Sequence, residues 1–203
     1  MEAMMATTTR ARDNKGGNKD EGNWNGFGAI AGAVAGGAAL GVLAMLGRKA
    51  AVQSPTLLAG DWMDGLIAEH KMVLKLFDAL EATDDNAAGR RTMLLTQIKH
   101  ALAKHALEEE NVIYPALREA GRIEEADELT REHGYVKQYL YELENMPNTS
   151  PAFLEKVRKF RADLEDHIRE EETDLFPSLR TQSDEAKNKH LTIAMNKEGY
   201  KLA

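Results

Sequence analysis

The stretch HALEEENVIYPAL at residues 105–117 decides the fold, because it has the spacing of a buried helix face but has a histidine and a glutamate where apolar residues are expected. His105 and Glu109 lie four positions apart, where a helix would normally turn apolar side chains toward a core. Nearly the same phrase returns as HIREEETDLFPSL at 167–179, with a histidine and a glutamate in the same places. Residues i and i+4 are neighbours on a helix surface, so each His–Glu pair points to one spot.

A second pair of matching segments precedes these phrases. EHKMVLKLFDALE at 69–81 matches EHGYVKQYLYELE at 132–144. Their histidines, His70 and His133, are 63 positions apart, and the histidines of the later phrases are 62 positions apart. We infer that one helical hairpin is present twice, so that two half-sites face each other across an approximate internal two-fold axis.

Helical periodicity extends over the chain from Asp61 onward. Breaks at 84–86, at Gly121 and at 146–148 separate four amphipathic helices with short connections, which predicts an all-α, antiparallel up-down-up-down four-helix bundle. Steps of three and four place each set of core residues on one face. The four faces are Met63, Leu66, His70, Val73, Phe77 and Leu80; Leu94, Ile98, Leu102, His105, Glu109 and Val112; Ala126, Leu129, His133, Val136, Leu140 and Leu143; and Val157, Phe160, Leu164, His167, Glu171 and Leu175.

These faces contain polar side chains that a core must compensate. A carboxylate buried among leucines is costly unless it is paired or coordinates a cation. None of the four faces contains a Lys or Arg, so a metal cation is the counter-charge that the pattern favours. A single histidine in an apolar face is more often a hydrogen-bonded core residue, but here four faces and two glutamates coincide. The candidate metal ligands are His70, His105, Glu109, His133, His167 and Glu171.

Other histidines and glutamates provide comparisons. His100 lies about 140° round the helix from His105 and so points away from its face. His190 falls beyond the last predicted helix. We expect the remaining glutamates of the repeated phrases to form a solvated acidic rim: Glu108, Glu110, Glu170 and Glu172.

Charge and cysteine content exclude several classes of function. The chain has 203 residues and no cysteine, which excludes disulfides, thiolate metal sites and a cysteine nucleophile. Residues 1–60 contain six Lys/Arg and four Asp/Glu, which leaves 20 Lys/Arg and 29 Asp/Glu for the remainder. A domain this acidic is a poor candidate for binding nucleic acid.

The N-terminal residues have a different composition. Residues 1–26 are polar and rich in Gly and Asn, and we expect them to be disordered. Residues 27–46 are uncharged and match the ~20 residues of a transmembrane helix. Glycines spaced by four in this segment favour close packing of two such helices, and hence a homo-oligomer. A flexible Gly/Ala linker is the alternative interpretation. After residue 46 we expect a linker at 47–60, the bundle at 61–180 and a C-terminal tail at 181–203.

The repeated motifs resemble those of a known family. The two H-x-x-E-E-E-x-x-[IL]-[YF]-P phrases, each preceded by an E-H-x-x-V histidine, are similar to the hemerythrin-like (HHE cation-binding) family over about residues 61–180. The resemblance implies a four-helix bundle that holds two non-haem iron ions bridged by oxygen. It also implies terminal imidazole ligands and two bridging carboxylates: His70, His105, His133 and His167, with Glu109 and Glu171.

Two departures from the oxygen-carrying members of that family bear on function. Those members have a further histidine where this chain has Lys137, and they use an aspartate five residues after the last histidine, where this chain uses Glu171 at four. Two six-coordinate irons offer about twelve positions, of which the imidazoles, the carboxylates and an oxygen bridge fill about ten. We expect the Lys137 ammonium to turn toward solvent, which leaves open positions to water, a nearby tyrosine or an exogenous ligand.

These observations favour a module that binds or senses oxygen, nitric oxide or iron. The alternative is a di-iron enzyme, such as a ferroxidase, a peroxide- or nitric-oxide-consuming centre, or an iron donor for cluster repair. A third interpretation is a scaffold in which metal only stabilises the bundle. Two core carboxylates neutralise less iron charge than the glutamate-rich sites of ferritin-like enzymes, and this favours binding or sensing.

The hydrophobic segment 27–46 predicts a single-pass membrane anchor of undetermined orientation on an otherwise cytoplasmic protein. We expect the full chain to fractionate with membranes, because about twenty uncharged residues can span a bilayer core. A chain that begins at Asp61 is the control and is expected in the soluble fraction. Recovery of the full chain without detergent would favour the linker interpretation.

Overall fold

The computed structural model describes residue 56 and residues 58–203. The predicted disordered stretch 1–26, the predicted membrane helix 27–46 and most of the predicted linker 47–60 lie outside these residues. Within the described part of the chain, no helix is long and apolar enough to cross a membrane.

All regular structure of the described residues is helical, and residues 62–202 form five helical segments. Two of these segments each contain a short π-helix. The elements are α1 (Trp62–Glu81), α2 (Ala88–Glu108), π1 (Glu109–Ile113), α3 (Tyr114–Glu119), α4 (Ile123–Glu144), α5 (Pro151–Glu170), π2 (Glu171–Leu175), α6 (Phe176–Gln182) and α7 (Glu185–Leu202).

Local chemistry sets several helix ends. The Oδ1 atom of Asp61 accepts a hydrogen bond from the backbone N–H of Asp64 at 3.1 Å and so caps the start of α1. Gly121, between α3 and α4, has a φ of 90°, a left-handed conformation that glycine adopts without steric strain. Pro151 lies in the first turn of α5, where a helix needs no N–H donor.

The four predicted faces are turned toward one another. Helix α1 packs against α2 and α5, and α4 packs against α5 and α2. Every residue of the four faces is buried, except for three that are partly buried, Met63, Val112 and Val136. The prediction of a helical bundle built on these faces is therefore confirmed at the level of its helices and its core.

Two apolar clusters lie on either side of the histidine layer. One cluster contains Phe77 and Phe160, and the other contains Trp62 and Phe176. Along α1 the chain leaves the second cluster, passes His70 and enters the first, whereas along α2, π1 and α3 the order is reversed. Helix α4 repeats the order of α1, and α5, π2 and α6 repeat the reversed order.

A π-helical turn begins at the core glutamate of each repeated phrase. The N–H of Tyr114 donates to the carbonyl of Glu109, and the N–H of Phe176 donates to the carbonyl of Glu171. A proline follows in both copies, and a proline ring clashes with the carbonyl four residues earlier in an ordinary helix. The wider π turn accommodates the proline, and such turns are frequent at functional sites.

Helix α7 occupies most of the predicted C-terminal tail, 181–203. This helix begins after Asp184, whose Oδ1 accepts a hydrogen bond from the N–H of Lys187 at 2.7 Å, and it packs on α1, α2 and π1. Its buried residues Leu191 and Met195 are one turn apart, a short apolar spacing that lies outside the internal repeat. A Cβ atom at Gly65 of α1 would lie 3.0 Å from Met195 Cε, so glycine permits this close approach.

Candidate metal centre

The six predicted ligands meet in the layer between the two apolar clusters. All six are buried. Ligand atoms within each of two groups lie within 4.8 Å of one another, and Glu109 belongs to both groups. The first group is His70, His105, Glu109 and Glu171, and the second is Glu109, His133 and His167.

The Glu109 carboxylate lies between the two halves of the repeat. Its Oε1 atom is 3.1 Å from His105 Nε2, and its Oε2 atom is 3.3 Å from His133 Nε2. Each oxygen thus faces the imidazole of a different hairpin. This is the geometry that a carboxylate needs in order to bridge two cations.

The Glu171 carboxylate has the corresponding position in the second repeat. Its Oε2 atom is 3.4 Å from both His70 Nε2 and His167 Nε2. The Nε2 atoms of His70 and His105 also lie 2.8 Å apart. The Nε2 atoms of the histidines therefore point inward, toward the carboxylates.

The donor set fits divalent cations. Among the described residues, Glu109 Oε1 and Glu171 Oε2 are buried side-chain atoms without a hydrogen-bond partner. Buried carboxylate oxygens in this state are costly, and a coordinated cation would remove the cost. Imidazole and carboxylate together suit iron, manganese or zinc.

Without a bound cation, protonated histidines form ion pairs with the buried carboxylates. Burial by itself lowers the pKa of a histidine, but hydrogen bonds to Glu109 and Glu110 raise the pKa of His133 to about 9. Burial likewise opposes the charge of Glu109, yet the positive charge of His105 holds the pKa of Glu109 well below its ordinary value. Because ligands bind metals without these protons, metal uptake must release them.

An outer ring of carboxylates orients the four imidazoles. Each Nδ1 atom lies within hydrogen-bond distance of a glutamate from another helix, an arrangement that fixes the tautomer and the ring orientation of metal-binding histidines. Both halves of the repeat contribute in the same way. The pairs are His70 with Glu172 at 2.8 Å, His105 with Glu69 at 3.0 Å, His133 with Glu110 at 3.0 Å and His167 with Glu132 at 2.7 Å.

The sequence reasoning missed this outer ring, although the repeat contains its signal. Glu69 and Glu132 are the first letters of the two E-H motifs, and Glu110 and Glu172 are the last letters of the two E-E-E runs. Both pairs of positions recur in the two copies without belonging to the buried faces. Because these glutamate positions recur in both copies, the sequence indicates that they share a role.

The predicted acidic rim needs a correction at Glu108. This residue is fully buried, and its Oε1 atom accepts a hydrogen bond from Lys104 Nζ at 2.8 Å. Burial and the nearby charge of Glu69 raise the pKa of Glu108 to about 8. The prediction for Glu108 was wrong because it assumed that this side of α2 is exposed to solvent, whereas α7 packs against it.

Tyr114 is a further residue that the sequence reasoning did not place. Its hydroxyl lies 3.0 Å from His133 Nε2 and donates to Glu171 Oε1 at 2.8 Å. Burial and the charges of Glu109 and Glu171 raise the pKa of Tyr114 well above its ordinary value, so the hydroxyl keeps its proton. The second repeat has Phe176 at this position, so one half of the centre has a hydroxyl that the other half lacks.

Lys137 and the two comparison histidines lie outside the centre. The Lys137 side chain is 65% exposed and its Nζ atom pairs with Glu110 Oε1 at 3.1 Å, so the ammonium turns outward as predicted. His100 is exposed, as its predicted orientation requires. His190 is exposed on α7.

Comparisons with known proteins find a family model and a solved structure that match this chain. The family model described as the hemerythrin HHE cation-binding domain matches residues 63–179. Among solved structures, an HHE cation-binding domain-containing protein of Mycobacterium kansasii matches with a TM-score of 0.61 and 23% identity, over 70% of this chain and 86% of that chain. At that identity the likeness shows the fold.

Two curated relatives are similar over part of their length. The chain is 30% identical over 117 residues to a DNA nickase of Nostoc sp., a match that covers 58% of this chain and 33% of the relative. It is 26% identical over 138 residues to an uncharacterised hemerythrin-like protein of Schizosaccharomyces pombe, with 66% of each protein covered. The chain thus spans one third of the first relative and just under two thirds of the second.

Two histidines of α2 provide a matched test of the site. We expect His105→Ala to lose about half of its bound metal or more, because one metal position loses an imidazole and its outer carboxylate loses its partner. The control, His100→Ala, removes an exposed imidazole and should keep the wild-type metal content. Elemental analysis of the full-length proteins after expression with added iron measures both. Equal losses in the two variants would contradict the assignment of the site.

Proposed function

The chain belongs to the hemerythrin HHE cation-binding family, and we propose that its bundle holds two iron ions and binds or senses oxygen, nitric oxide or iron. In this proposal Glu109 and Glu171 bridge the two ions. Two imidazoles hold each ion at the ends, with His70 and His105 at one position and His133 and His167 at the other.

The observation that carries the proposal is the double contact of each buried carboxylate. Glu109 lies within 3.3 Å of imidazoles from both hairpins, and Glu171 lies 3.4 Å from imidazoles of α1 and α5. Bridging between two cations accounts for carboxylate oxygens that are fully buried and lack hydrogen bonds.

The side chains around the centre leave room for an exogenous ligand. Lys137 lies on the surface and pairs with Glu110, so it occupies no coordination position in this structure. The Tyr114 hydroxyl lies 3.0 Å from His133 Nε2, in the second group of ligands. When bound, a ferrous pair supplies electrons and open coordination positions to a small diatomic molecule. The protein contributes the orientation of the imidazoles and a buried, water-poor environment.

A redox enzyme is the second candidate, and Tyr114 is the observation that favours it. The Tyr114 hydroxyl keeps its proton and lies 3.0 Å from His133 Nε2. Reduction of oxygen or peroxide consumes protons, and a buried donor at this position could supply one. The second half of the centre has Phe176 instead, so proton supply would be confined to one side.

The DNA-nicking activity named for the cyanobacterial relative is not part of this proposal. The match covers 33% of that protein. Beyond residue 60 this chain carries 29 acidic side chains against 20 Lys/Arg, a charge balance that repels a phosphate backbone.

Nitric oxide titration tests the first candidate. We expect the anaerobic ferrous protein to bind nitric oxide with a saturable change in its visible spectrum, because coordination positions stay open beside the six ligands. The amplitude should follow the iron content across preparations. A spectrum that nitric oxide leaves unchanged, in a protein shown to contain two irons per chain, would contradict the proposal.

Substitution of Tyr114 distinguishes binding from redox chemistry. If Tyr114 is the proton donor, Tyr114→Phe should slow oxidation of the ferrous protein by oxygen by about 100-fold or more, the lower end of the range for a lost general acid. Tyr135→Phe is the control, because the Tyr135 side chain is 60% exposed. Stopped-flow absorbance after mixing with oxygen measures both rates. A long-lived, reversible oxygen complex in the wild type would reject the redox candidate.

A further inference from the structure

The four outer carboxylates are unequal in their exposure to solvent. The side chains of Glu110 and Glu132 are each 32% exposed, and that of Glu172 is 28% exposed. The Glu69 side chain is 5% exposed. The carboxylate that orients His105 is therefore the one that is withdrawn from water.

Glu69 is held at both of its oxygens. Its Oε1 atom accepts hydrogen bonds from the Thr56 hydroxyl at 2.5 Å and from the Lys104 ammonium, and its Oε2 atom pairs with His105 Nδ1. Lys104 also donates to the buried Glu108, so the ammonium joins two carboxylates. Leu202 of α7 lines the same cavity as Glu69 and Lys104, which places this cluster beneath the C-terminal helix.

The second half of the repeat has no equivalent of the lysine. The spacing of 62 positions between the two repeated phrases places Asp166 where Lys104 stands, and Asp166 is 71% exposed and pairs with Arg169. Glu132, the counterpart of Glu69, reaches His167 from a side chain that is one third exposed. The imidazole of His167 is therefore oriented by a carboxylate that is partly exposed to water.

We propose that Lys104, acting through Glu69, makes the position between His70 and His105 the slowly exchanging metal site, and that the position between His133 and His167 exchanges rapidly. This inference rests on the proposed two-metal function. A metal leaves when its imidazoles rotate away, and His105 is held by a carboxylate whose own rotation would break hydrogen bonds at both of its oxygens. A ligand ordered before the metal arrives also loses less conformational freedom on binding.

The positive charge of Lys104 could act in the opposite direction by repelling the metal. Its ammonium is balanced by the Glu69 carboxylate, which lies between it and the imidazole. The orienting effect therefore outweighs the repulsion. Lys104 is a positioning residue, because its contacts are with the partner of a ligand rather than with the ligand.

The test is iron release from the full-length ferrous protein into an excess of a chromogenic ferrous chelator, followed anaerobically by stopped flow. Wild type should release its two irons in two phases of equal amplitude. His167→Ala should abolish the fast phase, which assigns that phase to the His133–His167 position. Lys104→Met should accelerate the slow phase by about 10- to 100-fold, the usual effect of losing an outer-shell partner, and leave the fast phase unchanged.

Three further variants show that orientation is responsible. Asp166→Asn alters the matched position of the other half and should change neither phase. Lys104→Arg keeps the positive charge and should restore part of the slow release. Thr56→Val removes one hydrogen bond to Glu69 and should accelerate the slow phase less than Lys104→Met does. If Lys104→Met does not fold, as judged by circular dichroism, Thr56→Val decides the question.

The outcomes separate this inference from the proposed function. A protein that binds two irons but releases them in one phase keeps the function and overturns the inference. So does equal acceleration of both phases by Lys104→Met, or a Thr56→Val variant with wild-type release. A protein that binds no iron overturns both.

Discussion

Two carboxylates buried in an apolar core impose the constraint on which the rest of this structure depends. Glu109 and Glu171 are fully buried, and each keeps an oxygen that no hydrogen bond satisfies. Burying such a charge without a partner costs on the order of several kcal/mol, and ion pairs with the imidazoles offset part of that cost. Three features place those carboxylates where they can bind cations. They are the four inward imidazoles, the π turns at both glutamates and the separation of the core into two apolar clusters.

The duplicated hairpin explains how a short motif can specify both the inner and the outer ligands. A local His–Glu pair one turn apart supplies half of the centre, and the two copies supply the whole. The flanking glutamates then reach across to imidazoles on other helices: Glu69 and Glu132 within their own hairpin, Glu110 and Glu172 in the opposite one. Each imidazole is thereby held at Nδ1, and its Nε2 faces the buried carboxylates, which is the orientation that a metal ligand requires.

The two halves have diverged in ways that matter chemically. Tyr114 faces the second group of ligands where the other copy has Phe176, and Lys104 pins Glu69 where the other copy has the solvent-exposed Asp166. Helix α7 lies outside the repeat and packs against one side of the bundle, so it covers one half-site more than the other. A pair of chemically similar metal positions would in this way acquire different surroundings without any change in the six ligands.

The sequence by itself determined the helical bundle, its four buried faces and the convergence of six candidate ligands, because these follow from spacing along a single helix. Residues three and four apart share a face in any tertiary context. The outer carboxylates, the placement of Tyr114, the burial of Glu108 and the helical C-terminus were decided only by the tertiary structure. Each of those depends on which helix lies opposite, and the cost of burying Glu108 is met by Lys104 and by the packing of α7, neither of which the periodicity of α2 reveals.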